Sequence, residues 1–171
     1  MRHIHGRLAI ASLLFVWATL VAAADVERPY VMKEDQAPVG SMLKRGSVHG
    51  TLPYDKRYDE LTPDQRTQVK SDYEAMAEND EPPFPAQGLG PVMKAIKKAA
   101  DAFTPRGTLD AAVEIGPDGT ARSLKIYKAP DDAQFTQFAA QLLMVTPYKA
   151  ARCGGQPCTM WYPFHIEFSV R

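Results

Sequence analysis

Two segments in which apolar and polar residues alternate, joined by a tight-turn sequence, place the strongest constraint on how this chain can fold. Apolar residues occupy every second position from Leu109 to Ile115, which predicts a strand with one buried face. Residues 116–119 read Gly-Pro-Asp-Gly, in which proline fixes φ, aspartate can bond its own backbone and glycine accepts a positive φ. A second strand is predicted over residues 121–128. The pattern therefore predicts an antiparallel β-hairpin.

Helical signals flank this hairpin on both sides. Thr62 and Pro63 supply the N-cap and the first helical position of a helix predicted over residues 63–77. A second helix is predicted to begin at Gly90 and to end before the hairpin. A third is predicted to follow the hairpin, with Asp131 and Asp132 at its cap.

A long strand is predicted to close the chain over residues 159–171. Its alternation assigns one set of side chains to the core: Tyr162, Phe164, Ile166, Phe168 and Val170. The other set is predicted to face outward: Trp161, Pro163, His165, Glu167 and Ser169. Because Pro163 cannot donate a ladder hydrogen bond, the strand is predicted at a sheet edge. The order helix, strand, strand, helix, strand predicts an α+β domain with a mainly antiparallel three-stranded sheet.

The first 24 residues have the composition of a secretory signal. Arg2 and Arg7 precede an uncharged run over residues 8–24, which ends in three alanines. Cleavage before Asp25 is expected, which would place the protein in the periplasm. The alternative is an uncleaved inner-membrane anchor, although seventeen residues is at the short limit for a spanning helix.

The rest of the chain divides by composition into three parts. Residues 25–60 show no sustained period and predict an extended arm with at most one short strand. Residues 61–90 predict the first helix and a stiff proline-rich connector, and residues 91–171 predict the α+β domain. With 20 basic and 20 acidic residues, the chain has no electrostatic footprint for nucleic acid.

Cys153 and Cys158 are the only cysteines, and they enclose Gly-Gly-Gln-Pro. An even count in an exported protein favours a disulfide, which would pin a tight turn. The alternative is a pair of free buried thiols. The spacing does not fit a thioredoxin-type redox motif or a zinc site.

Residue patterns for catalysis or cofactor binding are weak. His165 and Glu167 lie two apart on one predicted strand face, a spacing compatible with two metal ligands. The sequence offers no third ligand, so solvent-facing polar residues are the favoured interpretation. The acidic group at Glu78, Asp80 and Glu81 could bind a cation, but a solvated loop is the favoured interpretation. No cofactor, metal or small-molecule substrate is implied.

Residues 91–171 resemble the C-terminal domain of TonB, a periplasmic protein that couples inner-membrane energy to outer-membrane receptors. The resemblance rests on the hairpin and its Gly-Pro-Asp-Gly turn, on the helix after Asp131, and on Tyr-Lys-Ala-Ala at residues 148–151. It also rests on the closing strand that ends Phe-His-Ile-Glu-Phe-Ser-Val. The loop between the two cysteines resembles that of a subgroup of exported TonB-like proteins.

The departures from TonB itself concern energy transduction. Residues 8–24 contain no ionisable group that could engage a proton-driven motor, and the three prolines within residues 82–85 cannot span a periplasm. The resemblance therefore implies the fold and the compartment more strongly than it implies energy transduction.

Three hypotheses for function follow. The leading one is a non-enzymatic periplasmic interaction module, whose sheet edge binds an extended segment of an envelope protein or outer-membrane receptor. The predicted docking residues are Trp161, Pro163, His165 and Glu167, and a homodimer through the same edge is an alternative. The second hypothesis is a membrane-anchored TonB-type energy transducer for outer-membrane transport. The third is an exported hydrolase or metal-binding protein that uses His165 and Glu167.

Overall fold

The computed structural model describes residues 30–32, 52–74 and 76–168 of the 171-residue chain. Its helices are α1 (Pro63–Lys70), α2 (Gly90–Phe103) and α3 (Ala133–Val145), and a 3₁₀ turn (Tyr58–Glu60) precedes α1. Its strands are β1 (Tyr30–Met32), β2 (Phe84–Pro85), β3 (Gly107–Ile115), β4 (Ala121–Lys128), β5 (Tyr148–Lys149), β6 (Ala151–Cys153), β7 (Gln156–Cys158) and β8 (Met160–Phe168). The α+β class predicted from the sequence is confirmed.

The main sheet has four strands in the order β1-β4-β3-β8. The predicted hairpin of β3 and β4 is present, and β8 lies antiparallel to β3 along its whole length. The prediction of three strands is wrong, because a fourth strand is present. This strand, β1, comes from the N-terminal arm and pairs in parallel with Leu124–Ile126 of β4. The exposed edge of a hairpin presents unpaired backbone groups, and β1 satisfies some of them.

The turn between β3 and β4 forms as its residue types predict. The Asp118 carboxylate accepts hydrogen bonds from the amide and the hydroxyl of Thr120, at 3.1 and 2.8 Å. Gly119 has a φ of +79°, in the left-handed region that glycine tolerates. Its carbonyl accepts from the amide of Tyr148, so the turn also positions the segment that follows α3.

Helices α2 and α3 cover one face of the main sheet. In α2 the residues at helical spacing, Val92, Ile96 and Ala99, are buried, while the lysines lie on the exposed side. In α3 the Asp132 carboxylate caps the helix by accepting from the Phe135 amide at 2.7 Å. The ring of Phe135 is fully buried beneath the sheet. Both helices agree with the prediction.

The first helix is shorter than its predicted range of 63–77. Thr62 caps it as predicted, and Gln65 completes a capping box, but the helix ends at Lys70. Tyr73, predicted on the helix, leaves the helical path and is buried against β8. Tertiary packing therefore overrides the helical spacing that the sequence shows.

The proline-rich segment, predicted as a stiff connector, contributes a buried side chain to the core. Phe84 has no exposed surface and contacts the ring of Tyr162 edge to face, with ring centroids 6.3 Å apart. Strand β2 pairs with β5, and the backbone of Glu81 exchanges two hydrogen bonds with that of Arg152. The segment therefore ties the region before α2 to the end of the chain.

Several predictions fall on residues outside the described ranges. They are the signal sequence over residues 1–24, most of the arm, and the end of the closing strand at residues 169–171. Within the described ranges, no helix is long and apolar enough to cross a membrane. The division into arm, connector and domain stays a prediction, and Leu52 and Tyr58 pack in the same core as the sheet.

Candidate binding edge

Strand β8 lies at one end of the four-stranded order, as the sequence predicts. All nine of its residues pair with β3, from Met160 opposite Ile115 to Phe168 opposite Gly107. Its second side faces away from the sheet, and no described strand pairs there. An edge strand of this length can accept another extended segment.

The position of Pro163 in the ladder shows which backbone groups of β8 point away from β3. It lies opposite Ala112 in an otherwise regular ladder, and a proline fits such a ladder only where its nitrogen points away from the partner strand. Because backbone groups alternate in direction along an antiparallel strand, those of Trp161, His165 and Glu167 also point outward. The outward groups of β8 therefore belong to the same four residues that the sequence singled out.

Trp161 is partly buried rather than freely exposed. Its ring lies beneath the Lys125 ammonium, with the nitrogen 4.7 Å from the ring centroid, a distance typical of a cation–π contact. Its carbonyl accepts a hydrogen bond of 2.9 Å from the Tyr73 hydroxyl. Trp161 also packs at the margin of a small second core that includes Tyr73, Ala112 and Met160.

Pro163 is buried, which corrects the prediction that it faces solvent. Its neighbour across the ladder, Ala112, is 1% exposed. The face of the sheet opposite the helices is therefore partly covered at its centre, and the predicted outward face is not a continuous exposed surface.

His165 and Glu167 occupy the C-terminal half of the edge. His165 lies opposite Asp110, and its buried Nδ1 atom has no hydrogen-bond partner among the described residues. Glu167 is exposed and lies opposite Thr108. The structure thus leaves Glu167 accessible, while it encloses Trp161 and Pro163.

Sequence reasoning missed three neighbours of this edge. Leu52 and Tyr54, from the predicted arm, line a cavity of about 50 Å³ together with Phe164 and His165 of β8. Tyr73, interpreted as a helix residue, lies against the start of the strand. No local pattern identifies these contacts, because each joins residues about 90 or more positions apart.

The predicted disulfide is confirmed. Cys153 and Cys158 are bonded, with their Cα atoms 5.9 Å apart, and they close the two-stranded hairpin of β6 and β7. The amide of Gly154 at the hairpin tip donates to the Asp80 carboxylate at 2.7 Å. Asp80 therefore anchors the hairpin, whereas Glu78 is exposed, as expected for a solvated loop.

Glu81 extends this anchoring to the core. Its carboxylate bonds the Lys149 ammonium at 2.8 Å, and this hydrogen bond lowers the pKa of Glu81. The Lys149 nitrogen also lies 4.6 Å from the centroid of the Tyr58 ring. Burial raises the pKa of the Tyr58 hydroxyl to about 12, with a smaller contribution from the Glu81 charge. The polar contacts around Tyr58 therefore hold elements together and present no open reactive group.

The described residues include no group of three or more His, Cys, Asp and Glu side chains placed to hold a metal ion. His165 and Glu167 lie on one strand as predicted, and no third such side chain joins them in this part of the chain.

Comparison of the chain with protein-family models, with curated proteins and with solved structures finds no match. What is inferred about function therefore rests on the residues and their arrangement.

Proposed function

We propose that this protein is a non-enzymatic interaction module of the cell envelope, of the type of the TonB C-terminal domain. It acts in the periplasm after its signal sequence is removed. Its partner is an envelope protein, such as an outer-membrane receptor, which contributes an extended segment that pairs with the outer side of β8.

The position of β8 carries this proposal. It ends the strand order, and its outward amides at His165 and Glu167 bond to no other described residue. Backbone hydrogen bonds to an added strand would supply affinity, and outward side chains would supply selectivity. The opposite edge of the hairpin already carries β1, which favours β8 as the docking edge.

The edge can be tested by removing one outward amide. In Glu167→Pro the amide hydrogen that would bond the partner is lost, whereas the ladder to β3 should remain, as it does around Pro163. We expect the variant to keep the melting temperature of the parent and to lose capture of its partner from a solubilised outer-membrane fraction.

Glu167→Ala is the matched control, because it removes the same carboxylate and keeps the amide. It should capture more of the partner than Glu167→Pro does, and its difference from the parent measures what the carboxylate contributes to selectivity. If Glu167→Pro captures the partner equally well, the partner does not pair with β8 at this residue and the proposed function fails.

A further inference from the structure

We propose that the outer side of helices α2 and α3 binds the anionic surface of a phospholipid membrane. We call it the helix surface, and it consists of the exposed side chains of Gly90–Phe103 and Ala133–Val145. It contains no residue of β8, so the inference is separate from the proposed function. It joins three features: a charge of one sign, an uncharged stripe that ends in an exposed valine, and an open apolar groove.

Helices α2 and α3 lie antiparallel in one layer on the sheet. Val92 at the start of α2 and Leu142 near the end of α3 line the same groove. At the other end of the layer, Phe103 contacts Phe135, with ring centroids 6.5 Å apart. Because both helices bury one side against the sheet, their opposite sides form one outer surface.

The charge of the helix surface is almost entirely positive. Lys94, Lys97 and Lys98 are exposed on α2, and Asp101 is the one acidic residue of that helix. The Asp101 carboxylate lies 3.9 Å from the Lys97 ammonium, whereas Lys94 and Lys98 form no ion pair with any described residue. Helix α3 contains no charged residue. Three lysines and one aspartate therefore give the layer a net charge of +2.

The balanced charge of the whole chain hides an uneven distribution. Residues 52–81 contain nine acidic and four basic residues, which gives a net charge of −5. Asp55 lies near the start of α2, where the Tyr54 carbonyl accepts from the Gly90 amide, but Lys56 follows it and balances its charge. An anionic surface therefore attracts the helix surface and repels the acidic segment, which orients the protein. Two copies of the helix surface would repel each other.

The stripe along α3 ends in an apolar group that can enter a bilayer. Gln134, Gln137 and Gln141 are exposed at helical spacing and carry no charge. Val145 continues the stripe, and 76% of its surface is exposed. An apolar side chain beside lysines is typical of proteins that lie in the membrane interface.

The groove between the helix ends enlarges this apolar patch. Its volume is about 200 Å³, and its walls include Pro91, Leu142, Val145 and Pro147. Pro91, Val145 and Pro147 are exposed, so the groove opens beside the stripe. Acyl chains at the boundary with the headgroups can therefore contact both Val145 and the groove.

Residue types favour a lipid surface over a protein partner. Protein–protein interfaces are depleted in lysine, and their binding energy comes mainly from Trp, Tyr and Arg. Neither α2 nor α3 contains any of these three residue types. Lysine is instead common in segments that bind anionic membranes.

Sedimentation with phospholipid vesicles tests the proposal. The protein is used in the form that cells export, and the vesicles contain phosphatidylcholine with or without phosphatidylglycerol. We expect binding to the vesicles with phosphatidylglycerol, a steep loss of binding as the salt concentration rises, and much weaker binding to pure phosphatidylcholine. Equal binding to both kinds of vesicle would overturn the proposal, as would binding to neither.

Single charge changes identify the surface. Lys94→Gln and Lys98→Gln should each weaken binding about fivefold, because one lysine near an anionic membrane contributes about 1 kcal/mol. Lys70→Gln is the matched control, since it removes the same charge from α1 in the acidic segment, and it should bind as the parent does. Equal losses in all three folded variants would show that the total charge determines binding, and the helix surface would not be the site.

Soluble polyglutamate tests the alternative of an acidic protein partner. If the parent binds polyglutamate through Lys94 and Lys98 and does not bind the vesicles, the surface belongs to an acidic protein and the lipid assignment is wrong.

A fluorophore that is sensitive to polarity tests whether α3 enters the bilayer. It is attached to the new thiol of Val145→Cys or, as a control, of Lys70→Cys, and labelling is selective because Cys153 and Cys158 are bonded to each other. Vesicles with phosphatidylglycerol should shift the emission to the blue at position 145 and leave it unchanged at position 70. Unchanged emission at position 145 would overturn the proposal, whether or not residues 1–24 remain on the protein.

Discussion

Glu81 shows how a single residue can link distant parts of this chain. Its backbone pairs with Arg152, and its carboxylate bonds Lys149 beside the Tyr58 ring. The side chains of Glu81 and Lys149 are 35% and 29% exposed, so solvent weakens the charge interaction without abolishing it. The contact therefore contributes modestly to stability, in a way that depends on pH.

We predict that Glu81→Gln lowers the free energy of unfolding by about 0.5–1 kcal/mol at neutral pH. The hydrogen bond with Lys149 lowers the pKa of Glu81 in the folded state, so the unfolded chain takes up protons first as the pH falls. The contribution is complete above the pKa of an unfolded glutamate, about 4.3, and is lost as the pH falls through the lower folded value. Urea titrations from neutral to acidic pH should show the two proteins converging.

Glu78→Gln is the control for this series, because Glu78 is exposed and only its backbone carbonyl is bonded, by Lys70. It should leave stability unchanged at every pH. A deficit of Glu81→Gln that persists at acidic pH would show that the carboxylate charge is not the source of the effect.

At the scale of single elements, short tight turns determine the geometry of both hairpins. Gly119, in the turn between β3 and β4, lies against the carbonyl of Tyr148 at positive φ. Gly154, in the disulfide hairpin, has a φ of +56°, and a side chain there would meet no atom within 4 Å. Both glycines have a positive φ, but only Gly119 has other backbone atoms close to where a side chain would begin.

This difference predicts unequal effects of the same substitution. Gly154→Ala should cost about 1–2 kcal/mol, which is the usual cost of a left-handed alanine. Gly119→Ala adds a clash with backbone and should cost more than that. Thermal denaturation of both variants checks the order, and equal losses would contradict the close approach of Gly119 to β5.

The disulfide should stabilise its hairpin locally. Its loop is short, so the chain-entropy contribution is about 2 kcal/mol, and replacing both cysteines with serine should lower the free energy of unfolding by about that amount. Far-ultraviolet circular dichroism should be unchanged, because Asp80 and the pairing of β6 with β7 remain.

Alkylation of the unfolded parent without reductant should label neither cysteine, and labelling of both would contradict the bond.

Across the whole molecule, the elements that could be predicted from the sequence are those whose signals lie within one short segment. Helices α2 and α3 and the β3–β4 hairpin follow from periodicity, caps and turn residues, and the disulfide follows from the even number of cysteines and the expected export. Strand β1 could not be predicted in its place, because three residues carry no period and their partner strand lies about ninety positions away. The same holds for Tyr73 and Phe84, whose burial depends on contacts with β8 that no window of sequence contains.

The candidate edge was predicted only in part for the same reason. Alternation and Pro163 identified β8 and its outward residues, since both are properties of one segment. The enclosure of Trp161 and Pro163 arises from residues elsewhere in the chain, so the sequence overestimated how much of the edge is open.

The most direct test of the account is residue-resolved amide hydrogen exchange along β8, followed by NMR in the free protein and after addition of the captured partner. In the free protein the amides of His165 and Glu167 should exchange quickly, while those of Phe164 and Ile166, which bond β3, should be protected. The partner should then protect His165 and Glu167 as well. If these two amides are already as protected as their neighbours in the free protein, or stay unprotected when the partner is bound, β8 is not the docking edge.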